Sequence, residues 1–431
     1  MSRAIIYDML RLMLAPFSPT PRGIDRIDFG YAKYLHSDWP APFMGLAPTP
    51  WGMRCFDRNK LSHGIARTDQ LWLETQDRET DPVYSDIKAF LSGSVRDAAH
   101  HTKPNAALST SRELLAFIDL MLAGPWSFGL SARNVPKDSI YLNIGHYGLS
   151  VPLFLNWLKA RPDVRKVFLL HDIIPLEVPH LVAPSTVRAH QSVMEAVIAY
   201  ADALIVPSEA TKQSTLTELR KRGVREMPIH ALGLPMNEAF ITPQDPDPAL
   251  SARPYFVICG AIETRKNHKL LFDIWQKLVQ ARGAKAPALI VAGPPGFQGQ
   301  EIVNDLASRD DLKGSVHLAH GLSTSALRSL MASAEALLMP SFTEGFGLPP
   351  VEALTLGTPA IVSNIDAHKE VTGEYGIWLD PHDERAWLDA ITGLLDDPQA
   401  KQALRAKIAR FKPQTWASYM REVSSVLENI D

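Results

Sequence analysis

The strongest constraint on this chain is an alternation of short apolar runs and helical patterns that occurs twice. The two series are separated by a stretch that supports neither helix nor strand. In the first series, Ala4-Ile5-Ile6-Tyr7, Ile140-Tyr141-Leu142, residues 166–170 and Ala203-Leu204-Ile205-Val206 read as buried strands. Helical segments lie between them, including residues 187–200 and, with Ser208 as N-cap, residues 209–222. The interruption contains Thr242-Pro243-Gln244-Asp245-Pro246-Asp247-Pro248, which cannot sustain a ladder or a helix. The second series then runs through residues 255–258, 288–291, 316–318, 336–339, 360–362 and 376–379. Strands alternating with helices require parallel sheets with crossover connections. The pattern therefore predicts an α/β chain of two doubly wound, Rossmann-like domains facing across a cleft. Domain one covers residues 1–235, a linker 236–254, and domain two 255–410, with a C-terminal helical segment at 411–431 that crosses back to the first domain.

Composition narrows the chemistry. The 431 residues are too many for one ordinary core. A formal net charge of -3 provides no general attraction to nucleic acid. The two cysteines, Cys55 and Cys259, lie far apart without metal-ligand neighbours and read as reduced packing residues of a cytoplasmic protein. No apolar run approaches the ~20 residues of a membrane span. The apolar segment 4–17 is interrupted by Tyr7, Asp8 and Arg11 and does not read as a signal peptide. Residues 40–136, rich in Pro, Trp and Arg, read as irregular insertions around the cleft.

Four motifs fall at predicted strand ends, where doubly wound sheets bind ligands. In Ser341-Phe342-Thr343-Glu344-Gly345-Phe346-Gly347-Leu348-Pro349-Pro350-Val351-Glu352, two carboxylates flank a Gly-rich strand-to-helix turn. Amides at such a turn suit a phosphate beside Phe346, Gly347 and Leu348, and the carboxylates suit ligand hydroxyls. Gly260-Ala261-Ile262-Glu263-Thr264-Arg265-Lys266-Asn267 places two cations at a second helix mouth, which complements a diphosphate. His171-Asp172 follows the strand ending at Leu170 and presents an imidazole to the cleft. The loop Pro19-Thr20-Pro21-Arg22-Gly23-Ile24-Asp25-Arg26 precedes a helical run at 29–35, and Gly23 permits close approach of a ligand.

Together the Glu-x7-Glu run, the Arg-Lys-Asn segment, the His-Asp pair and the Gly-Ile-Asp-Arg loop resemble retaining glycosyltransferases of family 4, which have the GT-B fold. The resemblance covers most of the chain, is strongest over residues 255–380, and is weakest over 40–136. It implies that Glu344 contacts the transferred sugar, Glu352 the nucleotide ribose, and Arg265 and Lys266 the diphosphate. His171 reaches the donor sugar, Gly23 lies against phosphate or acceptor, and Gly260 closes the donor site. Many relatives carry Arg directly after that glycine, where this chain has Ala261, which leaves open whether Arg265 supplies that charge and how it divides the work with Lys266.

The resemblance further implies departure of a nucleoside diphosphate stabilised by cations and helix-end amides, with no metal ligands and no required cofactor. Same-face attack by the acceptor follows, with the β-phosphate oxygen as base. It is closest to bacterial polysaccharide-assembly members, with GDP-mannose the leading donor and a UDP-hexose the alternative. The expected acceptor is an oligosaccharide or lipid-linked glycan, met at the inner face of the membrane through peripheral contact by residues such as Trp51, Arg54 and Trp72. Two other classes remain open: a hydrolysing sugar-nucleotide epimerase, and a non-catalytic sugar-nucleotide-binding subunit.

Overall fold

A computed structural model of the chain describes residues 2–14, 23–74, 77–94, 118, 129–224, 226–242 and 246–430. Two sheets organise them. The first contains β1 (Ile5–Asp8), β2 (Phe43–Thr49), β3 (Gly52–Asp57), β4 (Leu130–Ser131), β5 (Ile140–Asn143), β6 (Arg165–Leu169), β7 (Ala203–Val206) and β8 (Ile229–Ala231), in the order β4-β3-β2-β1-β5-β6-β7-β8. The second contains β9 (Tyr255–Cys259), β10 (Ala288–Ala292), β11 (Val316–Ala319), β12 (Leu337–Met339), β13 (Ala360–Ser363) and β14 (Ile377–Leu379), ordered β11-β10-β9-β12-β13-β14. Every pairing in the second sheet is parallel. Helices cover both faces, so β1, β5, β7, β9 and β10 are buried at every residue, which is why they read as continuous apolar runs without alternation.

Parts of the stretch 40–136 correct the sequence expectation. Instead of irregular insertion, residues 43–57 form a hairpin that extends the first sheet, with β2 parallel to β1 and β3 antiparallel to β2. These strands were hidden because Gly, Pro, Arg and Asp interrupt them. Gly, Pro and Asp are depleted in strands, and here pairing overrides propensity. Helices Arg58–Glu74 and Pro82–Leu91 follow. Trp72 is buried against Phe29 at 4.7 Å, so it is not a surface contact, and Arg54 reaches the Gly129 carbonyl at 3.3 Å. Trp51, on the β2–β3 turn, is exposed. Of the predicted Gly23 loop, residues 19–22 lie outside the described residues, while Gly23–Asp38 is one helix that already includes the Ile-Asp-Arg segment.

Two segments cross between the sheets. Helix Pro82–Leu91 inserts Val83, Tyr84, Ile87, Phe90 and Leu91 into the apolar cluster of Tyr255, Val257 and Leu330, so this part of the expected first domain packs with the second sheet. Asp81 secures it with one carboxylate. Its Oδ1 accepts from the amides of Val83 and Tyr84 at 2.9 and 3.1 Å, and its Oδ2 from the Ser323 amide at 2.7 Å, at the mouth of helix Thr324–Ser333. In the other direction, helix Trp416–Glu428 places Tyr419, Met420, Val423 and Leu427 in the cluster of Ile5, Tyr7 and Tyr31. Gly30 permits this: a Cβ there would lie 2.1 Å from the Trp416 ring.

The first sheet buries two carboxyl groups near its ligand edge. Asp28 is 1% exposed, and burial pushes it up to about 7 against the opposing hydrogen bond from Tyr7, 2.6 Å away. Asp8, bonded by Tyr141 at 2.8 Å, is pushed up to about 6, also by burial. A folded-state value above the unfolded one favours the native state at low pH, and that contribution is lost as pH rises through about 7 for Asp28. Asp28→Asn keeps the acceptor for Tyr7 and removes the ionisation. Denaturant titrations at pH 8 should find the variant more stable, by on the order of 3 kcal/mol, with the gain shrinking as pH falls towards 4.

Candidate active site at the switch point of the second sheet

Strand order reverses between β9 and β12, neighbours from which the chain leaves in opposite directions, and a crevice opens at such a point. Both charged motifs of the second half emerge there. After β9, Gly260 adopts φ +123°, and the Lys266 side chain folds back over it, so that a Cβ at Gly260 would stand 2.8 Å from Lys266 Cε. A short turn at Thr264–Lys266 then carries both cations. After β12, residues 341–347 lead to helix Leu348–Thr355, entered through Gly347 at φ +94° with two prolines in its first turn. The Phe342 amide donates to the Arg265 carbonyl at 2.8 Å, fastening one turn to the other.

Glu344 is the centre of the cluster. Lys266 Nζ lies 2.7 Å from its Oε1 and Arg265 Nη1 2.9 Å from its Oε2, while the Ser341 hydroxyl donates to Oε1 at 2.9 Å. The Glu344 and Lys266 side chains are 9% and 7% exposed. Burial opposes ionisation of Glu344, but Arg265 and Lys266 outweigh it and hold the carboxyl well below its usual range. Lys266 is lowered by the same burial, which Glu344 only partly counters. Arg265 also binds Glu263 at 2.8 Å. Two cations are thus matched by two carboxylates in one charge-balanced cluster.

The first sheet supplies the opposite wall. His171 follows β6, and its Nε2 donates to the Ile144 carbonyl at 2.9 Å. Burial first, and His146 next, lower it well below the usual imidazole value, so it stays neutral with Nδ1 as an acceptor. The His146 ring, on a residue with φ +67°, lies tilted beside it at 5.0 Å and is itself pushed down to about 3 by burial. His171 and Arg265 line one cleft of about 570 Å³; Glu344 and Gly345 line a neighbouring one of about 440 Å³. The walls touch at Gly345. Its carbonyl lies 2.8 Å from the hydroxyls of Ser208 and Thr211, and a Cβ there would meet the His171 carbonyl at 2.6 Å. Beside it, Glu370 accepts from the Glu209 and Ala210 amides at 2.7 and 3.1 Å, at the positive end of helix Glu209–Lys221.

The remaining residues singled out in the sequence sit behind these clefts. Glu352 is 5% exposed and pairs with Arg26, Nη1 to Oε1 3.1 Å, instead of joining Arg265 and Lys266. Burial raises its carboxyl above the usual value, with Arg26 pulling the other way. Gly23 packs against Leu348, where a Cβ would lie 3.0 Å from its Cδ1, and Phe346 joins the apolar clusters of both sheets. Sequence reasoning gave no role to Arg26, Asp172, Glu370 or His368. Arg26 and Asp172 were within quoted motifs. His368 carried no signal, yet its Nδ1 donates to the Ser363 carbonyl at 3.2 Å, its Nε2 has no partner among the described residues, and its ring edge abuts Gly347.

A depressed carboxyl contributes stability that is present above its unfolded value and lost as pH falls towards the folded one. Glu344→Gln should therefore lower stability at pH 7 by about 3 kcal/mol, the cost of leaving buried cations unpaired. In thermal melts across pH, the deficit relative to the parent should narrow below about pH 4.5, where the parent loses the same contribution.

Residues 244–411 match the family model described as glycosyl transferases group 1. The chain is 38% identical over 162 residues to the O-antigen chain mannosyltransferase RfbU of Salmonella typhimurium, covering 36% of this chain and 43% of that protein. It is 31% identical over 172 residues to O-antigen chain mannosyltransferase B of Escherichia coli, covering 39% and 44%. The matches thus span less than half the length of these curated relatives. Among solved structures, sucrose-phosphate synthase of Thermosynechococcus elongatus aligns over 98% of both chains with a TM-score of 0.59 at 15% identity, a likeness of fold. Residues 244–411 are accordingly a glycosyl transferases group 1 domain, carried in a chain with the GT-B fold.

Proposed function

We propose that the chain is a retaining glycosyltransferase that moves a hexose from a nucleotide sugar to an oligosaccharide or lipid-linked glycan in surface polysaccharide synthesis. The observation that carries this reading is the buried Glu344–Arg265–Lys266 cluster at the β9/β12 switch point, inside the group 1 domain. The likeness to O-antigen mannosyltransferases favours mannose, with GDP-mannose as donor. Residues 255–410 are the donor-binding part and 1–235 the acceptor side, apart from helix Pro82–Leu91. A lipid-linked acceptor calls for a cytoplasmic protein in peripheral contact with the membrane, and exposed Trp51 is a candidate for that contact. Among the described residues no helix is long and apolar enough to cross a membrane.

In this reading Arg265 and Lys266 take the diphosphate, together with amides of Phe346, Gly347 and Leu348 at the helix mouth, close to Gly260. Glu344, released in part from the cations, holds hydroxyls of the sugar, and His171 accepts from another through Nδ1. Glu352 is the ribose acceptor. Because Arg26 and Gly23 cover that region, donor entry requires helix Gly23–Asp38 to move off helix Leu348–Thr355, a domain opening of the kind that gates many transferases. Stabilisation of the leaving diphosphate by two cations and helix-end amides is electrostatic catalysis and assigns no step to a divalent ion.

A thermal-shift panel of GDP-, UDP-, ADP- and dTDP-sugars should give its largest rise with GDP-mannose, since a ligand of the folded state raises apparent stability by mass action. A larger rise with a UDP-hexose would move the donor assignment, and no rise with any of them would sink the reading. With the preferred donor, Glu344→Gln should lose roughly 100-fold or more in turnover at a temperature where it remains folded. The parent should keep its rate in a chelator and give a product of unchanged anomeric configuration.

A further inference from the structure

Asp172 stands where the two clefts meet. Among the described residues, it is the only titratable one that lines both the cleft of about 570 Å³ and that of about 440 Å³. Its backbone follows β6 directly after His171, and its Cβ is 2.7 Å from where a Cβ of Gly345 would be, so it faces the Glu344 turn at contact distance. Its Oδ1 is committed locally, accepting the Ile174 amide at 3.1 Å and locking the turn. The other oxygen has no bonded protein partner among the described residues. Burial raises its carboxyl above the usual value, against His190, Arg265 and the Ile174 amide, which favour the ionised form, while Glu344 opposes it.

The larger cleft has the character of a site for an uncharged sugar. Its cations are already matched: Arg11 is paired with Asp25 at 2.8 Å and Arg265 with Glu263 at 2.8 Å. Tyr147, 47% exposed with Arg11 stacked on its ring at 5.0 Å, offers an aromatic face at the rim of the kind that sugar C–H groups cover. Of the acceptors that line this cleft, Glu263 is already paired with Arg265 and His171 is assigned to the donor sugar, so Asp172, which also borders the Glu344 cleft, is the one placed between donor and acceptor.

We infer that Asp172 is the acceptor-positioning residue: its Oδ2 accepts the hydrogen bond of the attacking hydroxyl of a neutral hexoside seated in the larger cleft. The inference rests on the transferase reading above. In the step itself, the acceptor oxygen forms a bond to the anomeric carbon as the bond from that carbon to the β-phosphate oxygen breaks. The hydroxyl proton leaves on that phosphate oxygen, so Asp172 orients the hydroxyl and takes no proton in the balance. Correct aim of the nucleophile is worth large factors in rate, and its loss leaves water as the competitor for the donor.

Asp172→Asn preserves the shape and the bond to Ile174, but turns the second acceptor into an N–H donor. With GDP-mannose as donor and octyl α-mannoside as acceptor, the variant should show at least a tenfold rise in acceptor KM. Its donor KM should stay within twofold, and the fraction of released GDP recovered as glycoside should be lower. Asp172→Glu, which keeps the acceptor, should recover part of the coupling. An unchanged acceptor KM and unchanged coupling would overturn the assignment, as would a donor KM that rises in parallel. No transfer by the unaltered enzyme with any donor of the panel would instead overturn the transferase reading, and this inference with it.

Discussion

One largely buried carboxylate shared between two cations is the interaction on which the candidate site depends. Glu344 cannot be buried ionised by itself, nor can Lys266, and each is tolerable because the other lies 2.7 Å away with Arg265 at 2.9 Å on the far oxygen. To bring them there, the fold must deliver two strand ends side by side, which the β9/β12 neighbourhood does. It must also turn sharply after each strand, and Gly260 and Gly347 do so in left-handed conformations. In the proposed reading the cluster is less a stabilising device than a charge-balanced receptacle. Its parts are held in position before any ligand arrives, which is the condition for electrostatic catalysis.

The two halves of the chain are tied by exchange as well as by contact. Helix Pro82–Leu91 lies in the core of the second sheet and helix Trp416–Glu428 in the core of the first, so each half keeps a segment of the other. Between these anchors, apolar contacts of Phe346 and Leu348 are joined by polar ones: the Gly345 carbonyl against two hydroxyls, Glu370 on a helix end, and Arg26 on Glu352. If the halves open as proposed, the crossing segments are the candidate hinges.

Much of this was legible in the sequence, and what was not has physical reasons. Buried parallel strands announce themselves as apolar runs, so β1, β5, β6, β7 and β9 to β14 could all be read, whereas β2 and β3 could not. Their Gly, Pro and Asp residues are paired in spite of propensity. The site could be read as motifs at strand ends, but not who pairs with whom. Nothing in the spacing of Glu344 and Glu352 indicates that one is held by its own half and the other by Arg26, 326 positions away. Likewise the His171-Asp172 dipeptide drew attention to its imidazole. The imidazole turns out to be engaged with a backbone carbonyl, while the neighbouring carboxylate stands between the clefts.

The central claim is that the Arg265–Lys266 pair, balanced by Glu344, is a receptacle for a diphosphate. Calorimetric titration of GDP and UDP, and of the corresponding nucleosides, against the protein and Lys266→Met tests it most directly. For whichever diphosphate binds more tightly, an advantage of at least ~100-fold over its nucleoside is expected, falling to within about tenfold in Lys266→Met, since charge-assisted contacts to phosphate would be lost. Equal affinity of diphosphate and nucleoside, or an advantage that survives the substitution intact, would contradict it.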